Sequence, residues 1–355
     1  MSEAAQYRAL PQVDPKLADL LARATPFLDL RAPAEFARGA VPGACNLPIL
    51  DDDERHRVGL TYKQQGQAAA EALGYQLVSG AVKAARVEAW SRFARAHRDA
   101  WLYCWRGGQR SQIAQTWLAA AGWDVPRVPG GFKALRHTCL AVLESVPASK
   151  PWCVLAGRTG SGKTVLLNRL AHSIDLEGLA HHRGSAFGAM TTPQPAPVGF
   201  ENALAVALLR HQGHTLIVED ESRSIGRVAV PDPVFERMQN APLAVLEVPF
   251  EQRCANIVAD YVTAPLTAGT TAAELEARYR AALERIRRRL GGARTQSVEQ
   301  SLVAAFARHA DHSGWVAMLL RWYYDPMYDY QLERKAQRVR IRGGWEEISA
   351  FLASL

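Results

Sequence analysis

The stretch WCVLAGRTGSGKTVLLNRLAHS, residues 152–173, decides the fold of the larger part of this chain. Its apolar start, Trp152 to Gly157, has the length and composition of a buried strand. A glycine-rich loop follows, and the apolar spacing from Gly162 onward predicts a helix to about residue 173. Gly157-x4-Gly162-Lys163-Thr164 between a strand and a helix is the context of a Walker A phosphate loop. Gly157, Gly160, Ser161 and Gly162 let backbone N–H groups approach phosphate oxygens. Lys163 adds a point charge, and the Thr164 hydroxyl is placed to ligate magnesium.

Two further apolar runs, TLIVED (215–220) and APLAVLEVP (241–249), read as buried strands of the same sheet. LIVEDES (216–222), at the end of the first, offers Glu219, Asp220 and Glu221 as candidates for holding a metal or moving a proton. No NKxD-like base-recognition motif is present, so the loop suits ATP or the diphosphate of a non-nucleotide substrate. Between these elements, DLEGLAHHRGSAFG (175–188) reads as an exposed loop near the phosphates, with His182, Arg183 and Ser185 as substrate-contacting candidates. His181 and His182 lack a third ligand at sensible spacing and make a poor metal site.

Toward the N-terminus, PFLDLR (26–31) and AWLYCW (100–105) read as buried strands, and 88–98 and 111–122 as amphipathic helices. Alternation of this kind predicts a second α/β domain with a mainly parallel sheet. The proline-containing segment 144–152 sets the boundary. We expect one domain over 1–145, a phosphate-loop domain over 150–265 and a helical, Arg-rich region over 266–355.

Cys104 stands at the end of the second strand in YCWRGGQRS (103–111), followed by Arg106, Gly107, Gly108 and Arg110. A loop that feeds a helix N-terminus gathers N–H groups and favours anions. The same field and both arginines would favour a thiolate. A lone strand cysteine is most often inert core, and it is the glycines and arginines after Cys104 that mark it as reactive.

The last third concentrates positive charge in ERIRRRLGGAR (284–294) and ERKAQRVRIRGGW (333–345), with WYYDPMYDY between them. Arg287, Arg288, Arg289, Arg338, Arg340 and Arg342 next to aromatics suit RNA, whose phosphates supply affinity and whose bases stack. A formal charge of +7 over 355 residues agrees, mildly, with an anionic partner. No apolar run approaches the ~18 residues of a membrane span, and the N-terminus lacks a secretory pattern. The five cysteines form no CxxC pair, so the expected setting is a reducing cytoplasm without a disulfide framework.

Residues 27–48, FLDLRAPAEFARGAVPGACNLP, resemble the N-terminal signature of rhodanese-like domains, whose reactive cysteine opens a loop placed as Cys104 is. Cys104 to Arg110 is C-x5-R, one residue longer than common sulfurtransferase loops. That is the length found in rhodanese-related phosphatases, and it suits a phosphate-bearing donor. The order of YCWRGGQRS, the Walker A loop, DLEGLAHHRGSAFG, VEDES and YYDPMY is similar to bacterial tRNA 2-selenouridine synthases over nearly the whole chain. The resemblance implies a rhodanese-like domain fused to a P-loop domain that acts on the wobble uridine in the tRNA anticodon. It implies geranyl diphosphate and selenophosphate as co-substrates, no tightly bound cofactor, magnesium as the metal in play, and a selenophosphate-supplying enzyme as a partner. Cys104 would then take selenium as a perselenide or assist its delivery, with Arg106, Gly107, Gly108 and Arg110 on the donor's phosphate. The competing reading is an ATP-dependent kinase or ATPase with a regulatory rhodanese module.

Overall fold

A computed structural model describes residues 12–190, 192–308 and 311–355. The chain divides into two compact units. The first runs to Val146 and takes back Pro195–Arg210; the second holds Pro147–Gln194 and His211–Leu355.

In the first unit three short strands, β1 (Phe27–Asp29), β2 (Ala44–Asn46) and β3 (Trp101–Tyr103), form a parallel sheet in the order β2-β1-β3. Leu28 stands opposite Leu102 on one side and Cys45 on the other. Leu28, Leu30, Leu102, Ala114, Leu118 and Trp90 make the core beneath Cys104. The helix after β3 spans Gln109–Ala120, and that before it Gly80–Ala96. A helical hairpin, Asp52–Gln65 and Gln67–Leu77, is inserted after β2.

The signature residues Asp29 and Arg31 are fully buried together. Arg31 places Nη2 2.6 Å from Asp29 Oδ2, donates to the Gly39 carbonyl at 3.1 Å, and lays its guanidinium 3.7 Å from the Phe132 ring centre. A buried charge is tolerated only when paired and fully hydrogen-bonded, and these contacts meet that demand. Pro197–Arg210 adds a helix to this unit. Asn202 donates to the Ala40 carbonyl at 3.0 Å and accepts from Arg136 at 2.8 Å. No signal in the sequence marks this excursion within the phosphate-loop region.

The second unit carries a five-stranded parallel sheet in the order β10-β9-β4-β6-β5. Its strands are β4 (Trp152–Ala156), β5 (Ser173–Ile174), β6 (Leu216–Glu219), β9 (Leu243–Leu246) and β10 (Val339–Gly343); β7 (Ser224–Ile225) and β8 (Val228–Ala229) form a separate hairpin. The chain goes from β4 to β5 and β6 on one side, then to β9 and β10 on the other. The direction reverses at β4, and a crevice opens beyond its carboxyl end. The phosphate loop leaves from there.

Two sequence readings change. The helix after the loop is Lys163–Leu167, not a helix to residue 173, because the chain must turn back to enter β5. Residues 339–343, read as part of a helical tail, are β10, paired in parallel with β9. The following helix, Trp345–Ala353, buries Ile348 and Leu352 against Cys153, Leu155 and Leu166. Elsewhere the tail is helical as expected, with Leu275, Tyr279, Leu283 and Ile286 of Ala272–Leu290 forming a core with Leu302, Trp315 and Leu319. All five cysteines are free. Among the described residues no helix is long and apolar enough to cross a membrane.

Candidate functional site

Each unit carries one loop with the makings of a site. In the first, Cys104 directly follows β3 and is buried beneath the loop Trp105–Gly108. Its Sγ lies 3.4 Å from Ser111 Oγ, and that hydroxyl donates to the Gly108 carbonyl at 2.8 Å. The thiol therefore faces the first turn of Gln109–Ala120, where unpaired N–H groups collect.

The loop is braced from outside by residues that sequence reading passed over. Phe132 N–H donates to the Cys104 carbonyl at 2.9 Å, and Lys133 N–H to the Trp105 carbonyl at 3.0 Å. Gly131 has φ +62°, and a Cβ there would run into Cys104 O and Gly107 N. A Cβ on Gly107, at φ +67°, would stand 3.0 Å from the Val128 carbonyl. The sequence signal for this brace is the pair Gly130–Gly131 after Pro129.

Of the predicted arginines, Arg106 is exposed. Arg110 is held by Glu35, Nη1 to Oε2 at 2.6 Å and Nη2 to Oε1 at 3.3 Å, and Arg55 reaches the same carboxylate at 3.1 Å. Burial alone would raise the Glu35 pKa. The hydrogen bond and charge of Arg110, the Ala32 N–H and Arg55 outweigh it and hold the carboxyl below its usual range. Glu35 thus stays ionised and fixes the direction of Arg110.

In the second unit Gly157–Gly162 leaves β4 and turns at Gly160 (φ +82°) and Gly162 (φ +80°). A Cβ on Gly160 would stand 2.7 Å from the Arg253 carbonyl. Asn256 donates to the Gly160 carbonyl at 2.8 Å, and Lys163 Nζ arches back to the Gly157 carbonyl at 2.8 Å. Ser161 is buried, and its Oγ has no partner among the described residues. Since the helix behind the loop has only five residues, anion affinity rests on these N–H groups and Lys163 more than on a helix dipole.

The candidate carboxylates have distinct fates. Asp220 is bound through both oxygens by Lys335 Nζ at 2.7 Å. Glu219 is buried and accepts the Glu177 N–H at 2.7 Å. Of these three, Glu221 faces the cavity with no ion-pair partner among the described residues, packed beside Glu177, a residue that sequence reading left out. Burial, and then the neighbouring Glu177 charge, push Glu221 up to about 8, while burial also raises Glu177. Thr164 Oγ1 donates to Glu177 at 3.2 Å. Among the described residues no group of three or more His, Cys, Asp or Glu side chains is arranged to hold a metal.

Arg183 and Ser185 line the same cavity of about 420 Å³. His182 does not. Its Nδ1 is buried with no hydrogen-bond partner among the described residues, and burial, then the Arg285 charge, lowers its pKa. Arg183 stacks 4.9 Å from the Tyr261 ring, and Ser185 Oγ is 3.2 Å from Tyr261 Oη.

The aromatic segment 322–330, read as RNA-facing, is drawn to the phosphate loop. Arg253 pairs with Asp325 by two bonds of 2.8 Å, and Arg158 with Asp329 at 2.6 and 3.0 Å. Tyr324 and Tyr328 therefore line the cavity. A narrow apolar slot continues from it, floored by Phe187, Trp315, Val316, Leu319 and Leu320. Thr159, Ser185, Ile257, Tyr261 and Tyr324 border both spaces. The Tyr324 hydroxyl is buried there with no hydrogen-bond partner among the described residues.

The basic clusters also separate. Arg287, Arg288 and Arg289 are exposed on the last turn of their helix, as are Arg340 and Arg342 on β10. Arg338 instead donates to the Met238, Gln239 and Ala241 carbonyls. A cation is favoured at a helix C-terminus, so Arg338 closes the helix Asp232–Asn240 and is not free for RNA.

Two family models match the regions that hold the two loops. The sequence model of the "tRNA 2-selenouridine synthase AAA domain" matches residues 150–355, and that of the "Rhodanese-like domain" matches 14–138. A tRNA 2-selenouridine synthase of Marinobacter nauticus is 46% identical over 97% of this chain and 98% of its own. That of Cupriavidus necator is 50% identical over 92% and 93%, and that of Sulfurovum sp. 47% over 92% and 94%. The chain belongs to the tRNA 2-selenouridine synthase family.

Proposed function

We propose that the chain replaces sulfur by selenium at C2 of the wobble 2-thiouridine of tRNA in two steps, one at each loop. In the first, the thiocarbonyl sulfur attacks C1 of geranyl diphosphate, the C–O bond breaks, diphosphate leaves and N3 loses its proton. In the second, selenium of selenophosphate attacks C2 and the C–S bond breaks, releasing geranylthiol. Alkylation thereby turns a poor leaving group into a good one.

The observation that carries this reading is the junction of a phosphate cradle with an apolar slot. The floor of Phe187, Trp315, Val316, Leu319 and Leu320 offers no hydrogen-bonding group to the edge of a nucleobase, whereas an allylic diphosphate needs only an apolar continuation. The N–H groups of Gly157–Gly162 and Lys163 would take the diphosphate, and Thr164 would meet a magnesium ion carried in with it, which adds charge to the leaving group. Glu221, beside Glu177, is suited to receive the N3 proton only in its ionised form, which is reached as pH rises through about 8. The slot now holds only about 20 Å³, room for about one water. Entry of a ten-carbon chain requires Ile257, Val316 and Leu319 to part. Arg287, Arg288, Arg289, Arg340 and Arg342 would bind the RNA backbone.

Calorimetry on the full-length protein tests the assignment. Geranyl diphosphate should bind at least about tenfold more tightly than inorganic diphosphate, since each buried CH₂ contributes about 0.8 kcal/mol, and Lys163→Ala should weaken both. Equal affinities, or tighter binding of ATP, would overturn it in favour of the ATPase reading.

A further inference from the structure

The chemistry of Cys104 in the second step follows from its loop, given the reading above, on which this inference rests. Once selenium of selenophosphate has attacked C2, the nucleoside carries a Se–PO₃ group, and its P–Se bond must still be broken. We propose that Cys104 attacks the phosphorus of this group, not selenium, so that the first-unit loop works as a phosphoryl-transfer site.

The electron count separates the alternatives. If sulfur attacks selenium, the P–Se bonding pair stays on phosphorus, which leaves at the oxidation level of phosphite; a perselenide formed with phosphate as product needs an added oxidant. If sulfur attacks phosphorus, an S–P bond forms, the P–Se bond breaks and its pair leaves on selenium. The 2-selenouridine then takes a proton at N3. Water next attacks the phosphocysteine, releasing phosphate and restoring the thiol. Nothing is oxidised or reduced.

The loop has the parts this step requires. Cys104 and Arg110 are separated by five residues, and the backbone between them runs through Gly107 and Gly108 into a helix N-terminus, where N–H groups can hold equatorial phosphoryl oxygens. Arg110 is aimed by an ionised Glu35, which itself is steadied by Arg55. Ser111, fully buried, holds its hydroxyl 3.4 Å from Cys104 Sγ. By rotating its proton from the Gly108 carbonyl it can stabilise sulfur as the leaving group when the phosphocysteine is hydrolysed. No unpaired acid stands in the loop sequence, and none is needed, because a selenolate conjugated to the pyrimidine leaves without protonation. An oxygen leaving group would require one.

The test uses the full-length protein, S-geranylated tRNA and selenophosphate labelled with ³²P or ⁷⁵Se, quenched in acid within the first turnover. The expected result is ³²P and no ⁷⁵Se on Cys104. Cys104→Ala should accumulate tRNA bearing the Se-phosphorylated nucleoside. Ser111→Ala should retain the initial burst of selenouridine while steady-state phosphate release falls at least about tenfold. Selenium label on Cys104, or neither label on it while selenouridine forms at the normal rate, overturns the proposal and leaves the two-step reading intact. If the parent protein forms no selenated nucleoside of any kind, the two-step reading fails and the proposal fails with it.

Discussion

Replacing Glu221 by Gln should change how the stability of the second unit depends on pH. The Glu221 carboxyl is buried beside Glu177, with Lys163, Asp175 and Asp220 around it, and is pushed up to about 8 from 4.5 in the open chain. The folded chain therefore keeps a proton that the unfolded chain releases above its own pKa. The stabilisation is full below about pH 4.5 and is lost as pH rises through about 8. Within that window one proton changes stability by about 1.4 kcal/mol per pH unit, so about 2 kcal/mol disappears between about pH 6 and 7.5. Glu177 and Glu219 are raised as well and steepen the same slope. Subtracting the Glu221→Gln variant from the parent reports the proton held by the Glu177–Glu221 pair, which titrates together. The glutamine stays neutral, so the variant should gain roughly 2 kcal/mol on the parent across that interval. Urea unfolding at several pH values, read by hydrogen exchange over Trp152–Ala156, measures the second unit without the first. Parallel pH profiles for parent and variant would refute the protonated carboxyl.

Gly131→Ala should displace the thiol loop, because its Cβ meets Cys104 O and Gly107 N at a positive φ. Selenation of geranylated tRNA should fall by about 100-fold or more with affinity for geranyl diphosphate unchanged. Asp325→Asn strips the buried Arg253 of its partner and should cost the second unit about 3–5 kcal/mol in urea unfolding. Arg288→Ala and Arg289→Ala should each lower the salt dependence of tRNA binding by about one in log–log slope. Arg338→Ala should leave that slope unchanged, since this side chain holds the Met238 and Ala241 carbonyls.

What could be read from the sequence was local. The phosphate loop needed only a strand, the six glycine-rich residues Gly157–Gly162 and Lys163, all adjacent in the chain, and Cys104 with Arg110 is similarly compact. Contacts set by distant chain stayed hidden. Asp329 reaches Arg158 and Lys335 reaches Asp220 across more than a hundred residues, so nothing near Tyr324 or Tyr328 signals that they face the phosphate loop. The same holds for Arg338, whose neighbours suggest RNA and whose partners lie about a hundred residues earlier. Glu177 was hidden for another reason. It lies inside a segment that was read as a substrate loop, and its role depends on a carboxylate 44 residues away at Glu221. The strand β10 is marked only by the alternation of VRIRG, which a run of arginines masks as a basic tail.

The most direct test of the two-step account is to incubate the protein with 2-thiouridine tRNA, geranyl diphosphate and selenophosphate, omitting each in turn, and to follow the nucleoside by mass. Without selenophosphate the S-geranylated nucleoside should accumulate. Without geranyl diphosphate the mass should stay that of 2-thiouridine, and with both it should become that of 2-selenouridine. Selenation that proceeds at full rate without geranyl diphosphate, or a mass unchanged under every condition, would contradict it.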